Sequence, residues 1–266
     1  MARLSAYMIT LNEERRLPRT LQALSEVADE IVLVDAGSAD STVDIARSYG
    51  ARVYHREWDN YSAQKAYAEN LCSGNWLLNI DADEEISPEL AGEIGRAVEG
   101  DSADIYRIRI IDVFPGCSRP NRWVRHYNVI RLYKTGYAKM GETFSCDRVG
   151  LIRPDARVGQ LHNLVYHHSF ISIHQTVGKY NDYTDQQIET IIKEGKKYSP
   201  WRMIFAMSCS FFKYFFLHRQ FLYGFWGYIN AVNVSYARFL KFAKYYEMTN
   251  SEKEEKTEPD RSSFRN

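Results

Sequence analysis

Gly74-Asn75-Trp76-Leu77-Leu78-Asn79-Ile80-Asp81-Ala82-Asp83-Glu84 is an apolar run that stops on two carboxylates. Residues 76–80 read as a short buried strand, and Asp81 and Asp83 stand at its carboxyl end. The same grammar repeats on either side. Upstream, strands are expected over 4–10, 30–34 and 52–55; downstream, over 105–113. Helical spacing fills the intervals: 17–27, with Pro18 tolerable in its first turn, then 40–49, which Gly50 stops, and 61–72. A further helix begins after Ser87, an N-cap followed by Pro88 and Glu89. Apolar strands alternating with helices predict an α/β fold, a mostly parallel Rossmann-like sheet covered on both faces. Such sheets bind ligands outside the carboxyl ends of their strands. Three polar clusters fall there: Thr10-Leu11-Asn12-Glu13, Asp35-Ala36-Gly37-Ser38 and Asp81-Ala82-Asp83.

Beyond Val113 the pattern changes. Strand-like pieces at 128–133 and 161–170 suggest a second lobe that completes a cleft, and helical spacing returns over 173–193. The formal net charge is zero, which argues against a nucleic-acid binder, yet the charge is unevenly spread. Residues 195–246 carry eight basic and no acidic side chains, together with 18 of the chain's 37 aromatics. Basic groups suit lipid phosphates and amphipathic rings suit the headgroup layer, so this block is expected to meet an anionic membrane surface. The competing explanation is a helical subdomain that buries its aromatics against the rest of the chain. No run of eighteen strongly apolar residues is present. The apolar N-terminus is cut short by Asn12-Glu13-Glu14 and reads as a strand, not a signal peptide. Four scattered cysteines without a C-x-x-C indicate neither a zinc ribbon nor a disulfide framework and suit a reducing compartment. The expected organisation is 1–114 as the half that carries the three polar clusters, 115–175 as the half that completes the cleft, 176–246 as the membrane-associating helical segment, and 247–266 as a disordered tail.

Neither a G-x-G-x-x-G nor a G-x-x-x-x-G-K-[ST] motif occurs. Carboxylates can instead hold Mg²⁺ or Mn²⁺ against a diphosphate, since hard cations prefer oxygen ligands. A D-x-D by itself is as easily a solvated acidic turn. Behind a buried strand, with Asp35 at a neighbouring strand end, the metal reading is the stronger. Tyr166-His167-His168-Ser169 lies on an expected strand, so its two imidazoles face opposite sides. One can reach a metal or diphosphate while the other packs. Lys65, on the helix over 61–72, can meet a nucleotide, although a helix lysine is ordinarily solvated.

The stretches Met8-Ile9-Thr10-Leu11-Asn12-Glu13-Glu14, residues 29–42 (Asp-Glu-Ile-Val-Leu-Val-Asp-Ala-Gly-Ser-Ala-Asp-Ser-Thr) and residues 74–84 together resemble glycosyltransferase family 2, which has the GT-A fold. Within that family the chain is similar to the lipopolysaccharide-core β-glucosyltransferases of the WaaE type. The likeness runs on through Arg131-Leu132-Tyr133-Lys134, the strand with His167, and Lys241-Phe242-Ala243-Lys244-Tyr245-Tyr246-Glu247, covering about residues 3–247.

This resemblance implies roles. Thr10, Leu11, Asn12 and Glu13 would line the nucleoside pocket, with Glu13 near the ribose. Asp35 would accept from the base N–H, beside Gly37 and Ser38. Lys65 stands where the branch has Arg. Asp81 and Ala82 would hold ribose and diphosphate, with Asp81, Asp83 and His167 around a divalent metal, Mn²⁺ or Mg²⁺, and Asp83 its direct ligand. Where the branch carries Val-His-Glu, this chain reads Ser145-Cys146-Asp147. Asp147 is one candidate for the catalytic base and Glu142 the other. The implied reaction is inverting transfer of a sugar, glucose in the branch, from a UDP-sugar to a lipid-linked saccharide such as the lipopolysaccharide core. It would take place on the cytoplasmic face of the inner membrane. Two alternatives stay open: a polyprenyl-linked, cell-wall or peptide acceptor, and a non-catalytic nucleotide-sugar-binding scaffold.

Overall fold

The computed structural model describes residues 3–117, 120–121, 123–141, 148–195 and 197–257. The chain divides into two compact units, Met1–Val113 with His126–Ser169, and Phe114–Arg125 with Phe170–Asn266.

The first unit is built on β1 (Leu4–Thr10), β2 (Glu30–Asp35), β3 (Arg52–His55), β4 (Trp76–Asn79), β5 (Glu84–Ile86), β6 (Ile105–Asp112), β7 (Tyr127–Lys134), β8 (Ala138–Met140), β9 (Val149–Leu151) and β10 (Val158–His167). Eight of these form one sheet in the order β3-β2-β1-β4-β7-β6-β10-β5, and β8 and β9 pair separately. The pairs β1–β2, β1–β4, β2–β3 and β6–β10 are parallel. β7 runs antiparallel to both β4 and β6, and the short edge strand β5 is antiparallel to β10. The expected parallel half is present, and β7 makes the whole sheet mixed.

Both faces of β1 are buried, so its apolar residues pack on two sides of the sheet. Leu4, Ala6 and Met8 pack with Leu17, Leu21 and Leu24 of α1 (Leu17–Ser25), Ala46 of α2 (Thr42–Ser48), and Leu90 and Ile94 of α4 (Pro88–Glu99). Tyr7 faces the other way, with Val32, Val34, Leu77, Ala68 of α3 (Tyr61–Asn70) and Met140 of β8. The three α1 leucines sit at i, i+4 and i+7, one stripe of the helix, and burying each contributes about 1.5–3 kcal/mol. Ser87 caps α4 as its sequence implies, accepting from the Leu90 N–H at 3.2 Å.

At the amino ends of the strands, Glu30 is buried and gathers Ser5, Arg52 and Ser73 as partners. Gly74 is required beside this cluster, because a Cβ there would lie 2.6 Å from Ser5 Oγ and 2.7 Å from the Arg3 carbonyl oxygen. Burial opposes the charge on Glu30, but the hydroxyl, amide and guanidinium donors outweigh it and bring the pKa down to about 2. A carboxylate whose folded-state pKa is depressed stabilises the fold above its unfolded pKa and loses that contribution as the pH falls through the folded value. Between pH ~4.5 and ~2 this group therefore withdraws about 3 kcal/mol of unfolding free energy. Urea titrations across that range should show a smaller acid loss in Glu30→Gln, which starts less stable at pH 7.

The second unit contains α5 (Ile173–Lys193), α6 (Pro200–Phe212) and α7 (Phe225–Thr257). A π-helical turn at Lys213–Leu217 and a 3₁₀ turn at Gln220–Tyr223 join α6 to α7. Within this unit Trp226 packs on Phe170 at 4.8 Å between ring centroids, and Phe114 packs on Tyr223 at 5.0 Å. Among the described residues no helix is long and apolar enough to cross a membrane. α7 reaches Thr257, so part of the stretch 247–266 expected as a disordered tail is helical. Its Glu and Lys content gives high helix propensity, which supports extension of a helix already nucleated at Phe225.

Candidate active site

Thr10 and Asp35 end β1 and β2 side by side in register. Asp35 is buried, and its carboxylate meets four donors of the chain itself. Oδ1 accepts from Thr10 Oγ1 at 3.0 Å and Ser38 Oγ at 2.5 Å; Oδ2 accepts from the Gly37 N–H at 2.9 Å and the Ser38 N–H at 2.7 Å. Burial disfavours the charge, but these donors outweigh it and hold the carboxyl below its usual range. A carboxylate has about four acceptor sites, so a base N–H would have to exchange with one of these partners. Gly37, at φ +101°, forms the tight turn that aims both amides at Asp35.

The loop after β1 is stitched to the loop after β2. Asn12 takes a left-handed conformation, φ 55°, which Asn tolerates better than most residues. Its N–H donates to Ser38 Oγ at 2.8 Å, and its Oδ1 accepts from the Ala39 N–H at 2.9 Å. The Glu13 N–H donates to Thr42 Oγ1 at 2.7 Å. Thr10, Asn12, Glu13, Asp35, Gly37 and Ser38 are thus brought to one rim, while the Leu11 side chain is exposed.

Asp81 and Asp83 follow β4 and have different surroundings. Asp81 lies 2.6 Å from Lys65 Nζ and 2.9 Å from Arg131 Nη2. Lys65 is buried on this carboxylate and does not face water as a helix lysine ordinarily does. Arg131 also reaches Glu84 at 2.7 Å, and Glu84 accepts from the Asp81 N–H at 3.0 Å. Burial opposes ionisation of Asp81, but the two cations outweigh it and hold its pKa far below normal. For Glu84, burial outweighs the pull of Arg131, and Asp81 adds to the rise, so its pKa is pushed up to about 7. Ala82 contributes backbone: its carbonyl accepts from Thr20 Oγ1 at 2.9 Å, tying α1 to the acidic turn.

Asp83 meets Arg16 Nη1 at 3.1 Å and His167 Nε2 at 3.5 Å. Burial raises its pKa, and the neighbouring His167 and Arg16 lower it by more. The other nitrogen of His167, Nδ1, is 2.8 Å from Asp112, the residue paired with it across β6 and β10. Burial works against a charged His167, yet Asp112 and Asp83 together raise its pKa well above the usual value. His168 turns the other way, with Nε2 2.9 Å from Glu85 and its backbone N–H on the Asp83 carbonyl at 2.8 Å. The two neighbouring histidines therefore have separate carboxylate partners.

Asp83 and His167 suit a divalent cation. One supplies a hard oxygen and the other an imidazole nitrogen whose far side is fixed by a carboxylate, the usual outer partner of a metal-bound histidine. Among the described residues no group of three or more His, Cys, Asp or Glu side chains is arranged to hold a metal. A cation here would take its remaining ligands from the substrate diphosphate and water. Asp81, neutralised by Lys65 and Arg131, is the wall of this site. Asp147 and Glu142, the two candidate bases, lie outside the described residues.

Arg16, Glu84, Asp112 and Arg131 were given no role on sequence grounds. Arg16 links the two halves of the rim, donating to Glu13 through Nε (2.7 Å) and Nη2 and to Asp83 through Nη1. Asp112 was the most legible of the four, an acid at a strand end like Asp35 and Asp81.

Comparison with known proteins identifies the family. The model of glycosyl transferase family 2 matches residues 5–155. An uncharacterized glycosyltransferase of Rickettsia typhi is 35% identical over 94% of this chain and 88% of its own length. The lipopolysaccharide core biosynthesis glycosyltransferase LpsC of Rhizobium meliloti is 27% identical over 92% of each chain. Among solved structures, residues 1–349 of S. aureus TarS in complex with UDP-GlcNAc align at 15% identity and a TM-score of 0.49, over 95% of this chain and 92% of that one. The chain belongs to glycosyltransferase family 2, and its α/β unit is the Rossmann-like GT-A sheet expected from the sequence.

Proposed function

We propose that this protein is an inverting, metal-dependent glycosyltransferase. It moves a hexose, glucose in the branch it resembles, from a UDP-sugar to a lipid-linked saccharide of the lipopolysaccharide-core kind. The observation that carries this reading is the Asp83–His167–Asp112 arrangement, set beside a charge-neutralised Asp81 in a family 2 chain. The family relationship supports sugar transfer, and the LpsC relative supports a core-saccharide acceptor.

The loops after β1 and β2 form the nucleoside side, where Thr10, Asn12, Glu13 and Ser38 present polar groups around the organising Asp35. Asp83 and His167 would hold Mn²⁺ or Mg²⁺, which when bound neutralises charge on the leaving diphosphate. Lys65 and Arg131 keep Asp81 ionised and fixed, so the rim does not reorganise as charge develops. Asp147 or Glu142 takes the proton of the acceptor hydroxyl while its oxygen attacks the anomeric carbon from the face opposite the diphosphate. A single displacement of this kind inverts the anomeric centre.

The cationic, aromatic block 195–246 favours docking on the anionic cytoplasmic face of the inner membrane, where a lipid-linked acceptor is presented. Trp201, Phe205, Phe212 and Phe225 are exposed, which supports contact with lipid over a purely internal packing role.

Incubation with a panel of UDP-, GDP- and dTDP-sugars plus Mn²⁺ tests the reading. Nucleotide release, with or without a core-saccharide acceptor, is expected from one UDP-sugar and is lost on chelation. Release from a GDP- or dTDP-sugar alone would overturn the donor assignment. Silence with every donor and acceptor would favour a binding scaffold.

A further inference from the structure

The corner between α6 and α7 gathers cations without an acid. Phe114–Arg125 belongs to the same compact unit and is tied to this corner. The Arg125 N–H donates to the His218 carbonyl at 3.1 Å, and Arg125 Nη1 lies 2.6 Å from His218 Nε2. Arg219 Nη1 reaches the Trp123 carbonyl at 3.5 Å. Burial and the charges of Arg125 and Lys213 hold the His218 pKa below normal, so its imidazole is neutral and Nε2 accepts from Arg125. Arg125, Lys213 and Arg219 are exposed. No Asp or Glu occurs anywhere in residues 114–125 or 195–246, the two stretches that build the corner. Like charges gathered on two stretches that carry no acid repel one another, and an external anion relieves that repulsion.

The same corner carries protruding apolar side chains. Leu217 is 77% exposed and Phe225 87%, with Phe216 and Phe221 also exposed. Side chains that stand this far out need matched pockets on a protein partner, whereas a fluid lipid boundary accepts them without any. Cations beside projecting rings and a leucine have the chemistry of a headgroup layer, with phosphates above and acyl chain below.

We infer that the α6–α7 corner is the membrane-inserting tip of the protein. Arg125, Lys213 and Arg219 take the phosphates of anionic phospholipids, and Phe216, Leu217 and Phe225 enter the acyl boundary. This rests on the membrane reading above and sharpens it, from a whole basic block to one tip.

Flotation of the full chain with vesicles of phosphatidylcholine and phosphatidylglycerol at physiological salt tests it, with pure phosphatidylcholine vesicles alongside. The wild type should float with the anionic vesicles. R125Q/K213Q should bind them roughly 30-fold more weakly, since each basic group near an anionic surface contributes about a fivefold factor. L217E, a change at an exposed position, should lose binding while keeping its far-ultraviolet dichroism. R202Q/R238Q removes the same charge from exposed sites away from the corner. About 16 Å of helix separates Arg202 from Lys213, more than the ~8 Å Debye length, so this pair should weaken binding less than about threefold. Equal weakening by the two pairs, or unchanged binding in L217E, would overturn the tip and leave the membrane reading standing. Failure of the wild type itself to float with anionic vesicles would remove both.

Discussion

Asp83→Ala is expected to lower kcat by about 10³-fold while unfolding within a few degrees of the wild type. The asymmetry follows from what each neighbour keeps. Arg16 retains Glu13, which it engages through Nε and Nη2, and His167 retains Asp112 at 2.8 Å. Neither is left as an uncompensated buried charge, so the structural loss is small. The catalytic loss is large because Asp83 lies beside His167 Nε2, its partner in the proposed metal site, whereas Asp81 is committed to Lys65 and Arg131. Initial rates with the active UDP-sugar, paired with thermal unfolding, check both halves. A variant that keeps kcat and shows only a raised KM would place Asp83 in donor binding alone.

Arg131→Met should have the opposite profile, a structural collapse of the same rim. Arg131 is buried and serves two carboxylates, Asp81 at 2.9 Å and Glu84 at 2.7 Å. Without it, Asp81 keeps Lys65 while Glu84 loses the cation shown on it. Breaking a buried pair from one side costs about 3–5 kcal/mol, because the remaining charge stays desolvated. For a unit of this size that lowers the melting temperature by roughly 10 °C. Glu84 is the acid that yields, since burial already pushes its pKa up to about 7. Adding Glu84→Gln to Arg131→Met should therefore recover part of the loss, and chemical denaturation of the single and double variants measures it. An Arg131→Met protein as stable as wild type would show that the cluster is not held by this pair.

The strands that set the rim were legible because each is an apolar run ended by a polar cluster. β1 and β3 follow the expected bounds, and β2 and β4 differ by a residue at one end. β5 was missed since its three residues, Glu84-Glu85-Ile86, are mostly charged and carry no apolar signal. The antiparallel direction of β7 was also out of reach, because periodicity reports burial and not chain direction. Within the site, the acidic turn and His167 were visible as motifs. Their partners were not: Arg16 and Asp83 lie far apart in sequence, and a lone arginine before a helix carries no local sign of such a partner. Asp35 shows a further limit. Its residue type suggested a ligand contact, while its hydrogen bonds show that it first organises the loop that would make one.

Calorimetric titration of UDP with and without Mn²⁺ tests most directly whether this rim is a metal–diphosphate site. Mn²⁺ is expected to tighten UDP binding at least tenfold in the wild type, and the gain to disappear in Asp83→Ala while metal-free binding persists. UDP binding that is indifferent to Mn²⁺, or a metal effect that survives Asp83→Ala, would contradict it.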